Sequence, residues 1–176
     1  MLVVCSDTHS HTGHALTGRT REAVAAADLV VHAGDFVSPD ALDAFYEVAP
    51  ELRGVHGNAD DPAVTERLPT ARVVEYAGVR IAVTHRQSGG PTGLRMFGRE
   101  KGADLVVSGH THRPTVVETD ELTMLNPGSH AQPRGNQPGH AELERTDDGL
   151  SGRIVRPDGT LIEEFSVRAT GRDTRE

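Results

Sequence analysis

The 176 residues include one cysteine, no tryptophan and only 3% aromatic side chains. A lone Cys5 cannot close an internal disulfide, so no disulfide framework organises the fold, in keeping with a reducing compartment. With so few aromatics, the core must rest on Val, Leu, Ile and Ala, and little is left with which to stack a nucleobase. No apolar run approaches the roughly 18 residues of a membrane-spanning helix, so no membrane partner is expected. Met1 leads directly into the strand-like residues 2–5 without a basic and then apolar leader, and a cytoplasmic protein is the expectation. Lysine is nearly missing as well: Lys101 is the only one among 18 basic residues. At a formal net charge of −8 and without a basic patch, the chain should repel bulk nucleic acid.

What is abundant is histidine: ten are scattered along the chain, several at the ends of apolar runs. The length suits one domain, read over residues 1–169, with a frayed tail over 170–176. Short Val/Ile/Leu runs alternate with helix-like stretches. Residues 2–5, 29–32 and 52–56 read as strands. Residues 19–27 read as an alanine-rich helix, and a second helix runs from Pro39 to about Val48 behind the N-cap Ser38. Residues 73–76 and 79–84 flank Ala77-Gly78 as a hairpin, 93–101 is a helix, and 105–108 is a strand. Strands at 116–118, 122–125, 141–145, 152–156 and 161–167 follow, separated by turn residues, with 132–140 as a loop. The βαβαβ start and strand-rich remainder predict an α/β (α+β) fold. Its form is a four-layer αββα sandwich, two mixed β-sheets face to face with helices outside.

Five polar clusters stand directly after strand-like runs: Asp7-Thr8-His9, Gly34-Asp35, Gly57-Asn58-Ala59-Asp60, His85, and Gly109-His110-Thr111-His112. Each alone has an ordinary explanation as a turn, a cap or a solvated side chain. Together they put carboxylates, an amide and imidazoles at the carboxyl ends of successive strands, where α/β sheets bind ligands. Mixed oxygen and nitrogen donors suit divalent transition metals, and there are enough of them for two ions. The glycines allow close backbone approach. His14, His32, His56 and His140 read as structural or solvated.

The order D-x-H, G-D, G-N-x-D, H, G-H-T-H resembles the calcineurin-like metallophosphoesterases. Asn126-Pro127-Gly128-Ser129 downstream resembles the small single-domain phosphodiesterase group among them. The resemblance implies a metal-dependent hydrolase acting on small phosphodiesters or phosphate esters through a metal-bridging hydroxide. Two divalent ions are implied, manganese first, with nickel, iron or zinc as alternatives. Asp7, His9, Asp35 and His112 would hold one ion; Asp35, Asn58, His85 and His110 would hold the other. Asp35, Asn58 and Asp60 form the implied catalytic set, with Asp60 behind the ligands orienting one of them or the adjacent loop.

Many members carry a histidine after the motif asparagine as a proton donor, whereas this chain has Ala59, which cannot donate. His85 is followed by Arg86 rather than glycine, and a guanidinium there matches phosphate oxygens. Arg134, His11 and His130 are the other candidate substrate contacts, the two histidines as replacement acids. The competing expectations are a protein-assembly scaffold, as in a retromer subunit of the same superfamily, and a hydrolase specific for cyclic nucleotides or dinucleoside polyphosphates. All seven ligand positions hold competent donors, which argues against a decayed site. Association into a homo-oligomer is compatible with the sequence.

Overall fold

Side-chain alternation along β1 (Leu2–Cys5) sets the layering. Leu2 and Val4 point into one core, Val3 and Cys5 into another. The computed structural model describes residues 1–171. After β1 come α1 (Gly18–Ala26), β2 (Leu29–His32), α2 (Pro39–Val48), β3 (Leu52–Gly54) and the single turn α3 (Pro62–Thr65). Then follow β4 (Ala71–Tyr76), β5 (Val79–Thr84), α4 (Gly90–Lys101), β6 (Leu105–Val107), β7 (Thr115–Glu118) and β8 (Thr123–Asn126). The chain returns to the first sheet with β9 (His140–Arg145), β10 (Gly149–Val155) and β11 (Leu161–Arg168).

One sheet has six strands in the order β11-β10-β9-β1-β2-β3, the other five in the order β4-β5-β6-β8-β7. Both are mixed: β1, β2 and β3 run parallel, as do β5, β6 and β8, and the flanking strands are antiparallel. Leu2, Val4, Val31, Ile81, Val83, Leu105 and Leu125 are fully or almost fully buried where the sheets face each other. Phe45 and Leu42 of α2 and Val24 of α1 cover the outer face of the first sheet, and Phe97 of α4 covers the second. Helix, sheet, sheet, helix is therefore the observed order, the architecture expected from the sequence.

Local chemistry accounts for several element ends. The Ser38 hydroxyl accepts from the Ala41 amide and caps α2 ahead of Pro39. Ala77 (φ 50°) and Gly78 (φ 81°) make the left-handed pair of a two-residue hairpin turn. α4 begins at Gly90, three residues before the sequence reading, because Pro91 occupies its first turn, where proline is tolerated. β3 stops at Gly54 rather than at residue 56, and α3 was not anticipated. Residue 140, read as loop, is the first of β9 and is fully buried. Of the tail read as frayed, residues 172–176 lie outside the described residues. Thr170 is held by its amide and hydroxyl to the Asp104 carboxylate.

Because β1, β2, β5 and β6 are central parallel strands, their carboxyl ends open on one rim. Asp7, Asp35, His85 and His110 each follow one of these strands by one to three residues.

Candidate metal centre

Backbone conformation marks this rim before any side chain is considered. Among the described residues nine non-glycine residues have positive φ, and five are Asp7 (55°), His9 (46°), Asp35 (61°), His110 (74°) and His112 (59°). Such conformations cost of order 1–3 kcal/mol each and persist only where surrounding structure over-determines them. Here the bends turn the side chains of three separate loops toward one point.

The donors meet closely. Asp35 Oδ2 lies 3.2 Å from both His9 Nε2 and His85 Nε2. Asp7 Oδ1 lies 3.3 Å from His112 Nε2, 3.8 Å from His9 Nε2 and 4.0 Å from His85 Nε2. Asn58 Oδ1 is 3.0 Å from His85 Nε2 and 2.9 Å from His110 Nδ1. Two trios, Asp7/His9/His112 and Asp7/Asp35/His85, each bring their ligand atoms within 4.8 Å of one another. Asp7, Asp35, His85 and His112 are buried, His9 and His110 half-buried, and Asn58 exposed, so the cluster opens to solvent on the Asn58 side.

Tautomers follow from the far side of each ring. His85 Nδ1 is 2.7 Å from the Ala33 carbonyl, and His112 Nδ1 contacts the Gln132 carbonyl. A carbonyl only accepts, so both protons sit on Nδ1 and both Nε2 atoms turn lone pairs toward Asp7, Asp35 and Asn58. Lone pairs then face lone pairs. Asp7 Oδ1 and His9 Nε2 are buried without any hydrogen-bond partner among the described residues. Orphaned buried donors and acceptors of this kind are rare and costly, and a cation between them is what this donor set fits. The ligand side chains themselves can take up protons. Accordingly the carboxylates of Asp35 and Asp7 push the His9 imidazole up to about 9. Burial pulls His85 down, but Asp35 and Asp7 outweigh it and raise it. Burial pushes Asp35 up, yet His85, His9 and the Ala59 amide hold it well below the ordinary carboxylate range.

The loops are fixed by groups that touch no donor atom. Asp60, expected among the catalytic set, stands behind the cluster: its carboxylate accepts from the amides of Asp35 (3.0 Å), Gly57 (2.7 Å) and Val37 (2.6 Å). Asn126 Nδ2 donates to the Gly109 carbonyl and to Thr111 Oγ1, both at 3.0 Å, and so tethers the G-H-T-H loop. Ser129 Oγ donates to the Asp7 carbonyl (2.6 Å) and accepts from the Gln132 amide (2.8 Å), joining the Asp7 loop to the residue that orients His112. The motif glycines leave room: a Cβ on Gly57 would sit 2.2 Å from Asp35 Oδ1, and one on Gly109 would sit 2.0 Å from Ser6 Oγ. Ser6 Oγ donates to Asp7 Oδ2 (2.7 Å), a contact the sequence reading missed.

Three candidate substrate contacts are not brought to the cluster. His130 is buried, its Nε2 3.0 Å from Thr8 Oγ1, and burial drives its pKa down to about 3, so it is a neutral internal group and not an acid facing substrate. The Gly34 amide donates to His32 Nδ1 (3.1 Å), so His32 Nε2 donates to Thr8 (2.9 Å) and Thr8 donates to His130. His11 and Arg134 are exposed on loops, with no side-chain contact to the cluster among the described residues. Arg86 is exposed beside His85, near enough to His110 for its charge to help lower that imidazole, after burial and His85.

The sequence model of the calcineurin-like phosphoesterase superfamily domain matches residues 1–149. A probable metallophosphoesterase of Methanothermobacter thermautotrophicus is 32% identical over 172 residues, 96% of this chain and 99% of the relative. The phosphodiesterase YfcE of Escherichia coli K12 is 28% identical over 126 residues, 69% of this chain and 66% of that protein. In three dimensions, Vps29 of Entamoeba histolytica, solved with Zn2+, has a TM-score of 0.76 at 22% identity, covering 93% of this chain and 97% of that one, a likeness of fold. The chain belongs to the calcineurin-like phosphoesterase superfamily.

Proposed function

We propose that this superfamily member is a metal-dependent phosphodiesterase that hydrolyses small phosphate esters and diesters at the Asp/His cluster. The convergence of electron-pair donors on one rim, with His85 and His112 fixed as lone-pair donors by the Ala33 and Gln132 carbonyls, carries this conclusion. Asp7, His9, Asp35 and His112 would hold one divalent cation, and Asp35, Asn58, His85 and His110 a second, with Asp35 shared. Asp7 belongs to both close trios and so stands beside both positions. Mixed nitrogen and oxygen donors suit manganese, iron, nickel or zinc. Bound divalent cations supply charge for phosphate oxygens and lower the pKa of water.

The chain's own residues have distinct tasks. Asp60 holds the Asp35 loop and the Gly57 amide in register. Arg86, exposed and without an ion-pair partner among the described residues, is free to contact a phosphate oxygen at the solvent side. Ala59 offers no proton, and His130 and His11 do not replace it, so substrates with good leaving groups are favoured. Base-selective nucleotide hydrolysis has little support: Phe36, Phe45, Phe97 and Phe165 are buried in the core layers, Tyr46 lies under Arg67, and Tyr76 bonds Asp28.

Metal content measured together with turnover of a chromogenic phosphodiester tests the proposal, with Asp35→Asn and His110→Ala as controls. Both variants should lose orders of magnitude in rate while keeping the fold. Stoichiometric metal without turnover under any divalent ion would instead favour a non-catalytic scaffold, the alternative kept open by the fold shared with Vps29.

A further inference from the structure

A cleft of about 220 Å³ adjoins the cluster and shares His85 and His110 with it. Away from those histidines its walls are mostly aliphatic: Pro91 and Leu94 of α4, Val117 of β7, and Met124 and Leu125 of β8. Among the described residues no carboxylate and no Phe or Tyr ring lines it, and Arg86 is its one side chain with a fixed charge.

Three of its polar side chains are engaged by neighbouring groups. Asn126 donates to Gly109 and Thr111 and accepts from the Gly128 amide. Gln87 Nε2 donates to Thr84 Oγ1 (3.0 Å), and Thr115 Oγ1 donates to the Arg113 carbonyl (3.1 Å). A sugar or glycerol arm laid against the aliphatic walls would lose water hydrogen bonds and find few partners in return, which costs affinity. A hydrocarbon arm would lose none. Size agrees, since an apolar cavity of roughly 150 Å³ is enough for benzene.

We infer that this cleft receives the hydrocarbon arm of the substrate, so that the preferred class is alkyl or aryl phosphoesters rather than sugar phosphates or nucleotides. The inference rests on the phosphoesterase reading, with the phosphate at the metal centre and Arg86 at the junction of the two.

Calorimetric titration of the manganese-loaded protein with methyl-, butyl- and hexylphosphonate separates the two levels, because the C–P bond is not an ester and binding alone is read. A fully buried methylene is worth roughly fourfold in affinity. Butylphosphonate should therefore bind at least about tenfold tighter than methylphosphonate, with a heat-capacity change that grows more negative with chain length. Val117→Asp, at a 40% exposed position on an edge strand, should reduce the ratio of hexyl to methyl affinity toward one, and Leu94→Ser should lower it part of the way. Equal affinities along the series, with methylphosphonate bound, would overturn the cleft assignment and leave the metal centre standing. No binding of methylphosphonate at all would strike the phosphoesterase reading itself.

Discussion

Replacing Asp60 should cost stability in a graded way that depends on how many backbone amides are stranded. Its carboxylate takes three amide hydrogens, two of them from Asp35 and Val37, whose φ values of 61° and 84° lie in the left-handed region. Valine is branched at Cβ and strongly disfavours that region, so the loop stays bent only while something holds it. Hydrogen bonds to a charged acceptor contribute about 1.5–3 kcal/mol each, less where water can substitute, and Asp60 is only half-buried. Asp60→Ala strands all three amides and should destabilise by about 3–5 kcal/mol. Asp60→Asn keeps one oxygen for Asp35 and Gly57 and turns its NH2 toward Val37, so it should lose about 1–2 kcal/mol. Urea unfolding in the presence of a chelator measures both values free of any metal contribution. Amide exchange at Asp35, Val37 and Gly57 should accelerate in the alanine variant more than in the asparagine variant. Equal stability of the two variants, or unchanged exchange at those amides, would show that Asp60 does not hold the loop.

Gly57→Ala and Gly109→Ala press a methyl onto Asp35 and onto Ser6 and Asp7, and each should weaken divalent-metal binding about 10–100-fold by titration while leaving the two sheets folded. His9, raised to about 9 by Asp35 and Asp7, carries a proton in the metal-free protein at neutral pH. Its folded pKa is raised, so this contribution to metal-free stability is complete below about 6.5 and disappears as pH rises through about 9. Metal binding should therefore release protons at pH 7 and strengthen toward pH 9, which calorimetry in buffers of different ionisation enthalpy reads directly; a pH-independent affinity would contradict it. Burial raises the Glu142 carboxyl, but His140, Arg19 and Arg153 together hold it well below 4.5. Its stabilising effect is then present above pH 4.5 and lost as pH falls through the lower folded value, so Glu142→Gln should flatten the acid limb of a stability-against-pH curve.

The convergence of the candidate donors on one rim was legible in the sequence because each follows a short apolar run, and a parallel strand leaves its next residues on the sheet's carboxyl rim. Layer order was legible for a related reason: alternate residues of Leu2–Cys5 bury into different cores, so a strand apolar at every position must be covered on both faces. The outer supports were not legible. The Ala33 and Gln132 carbonyls that set the His85 and His112 tautomers are backbone groups and leave no mark in residue type. His130 follows the N-P-G-S motif and looked available, but Thr8 and the core draw it inside. The family resemblance already sets Asp60 behind the cluster, but which amides it holds is fixed by the backbone and is not written in residue type.

Those hidden supports explain why the bent ligand loops are affordable. Five residues of the cluster sit in left-handed backbone, at a combined cost of several kcal/mol by the usual scale. Where no proton sits between them, facing lone pairs add to that cost until a cation arrives. A site assembled only on metal binding would give up much of the binding energy to ordering these loops. Here Asp60 braces Asp35, Asn126 braces the G-H-T-H loop, and Ser129 braces Asp7, all through contacts that exist without metal. The four-layer core supplies the stability that offsets the strain, and the braces convert it into a cage whose donors already face inward. Metal affinity should consequently depend on residues that never touch the ion, and the bracing groups should matter nearly as much to it as the ligands do.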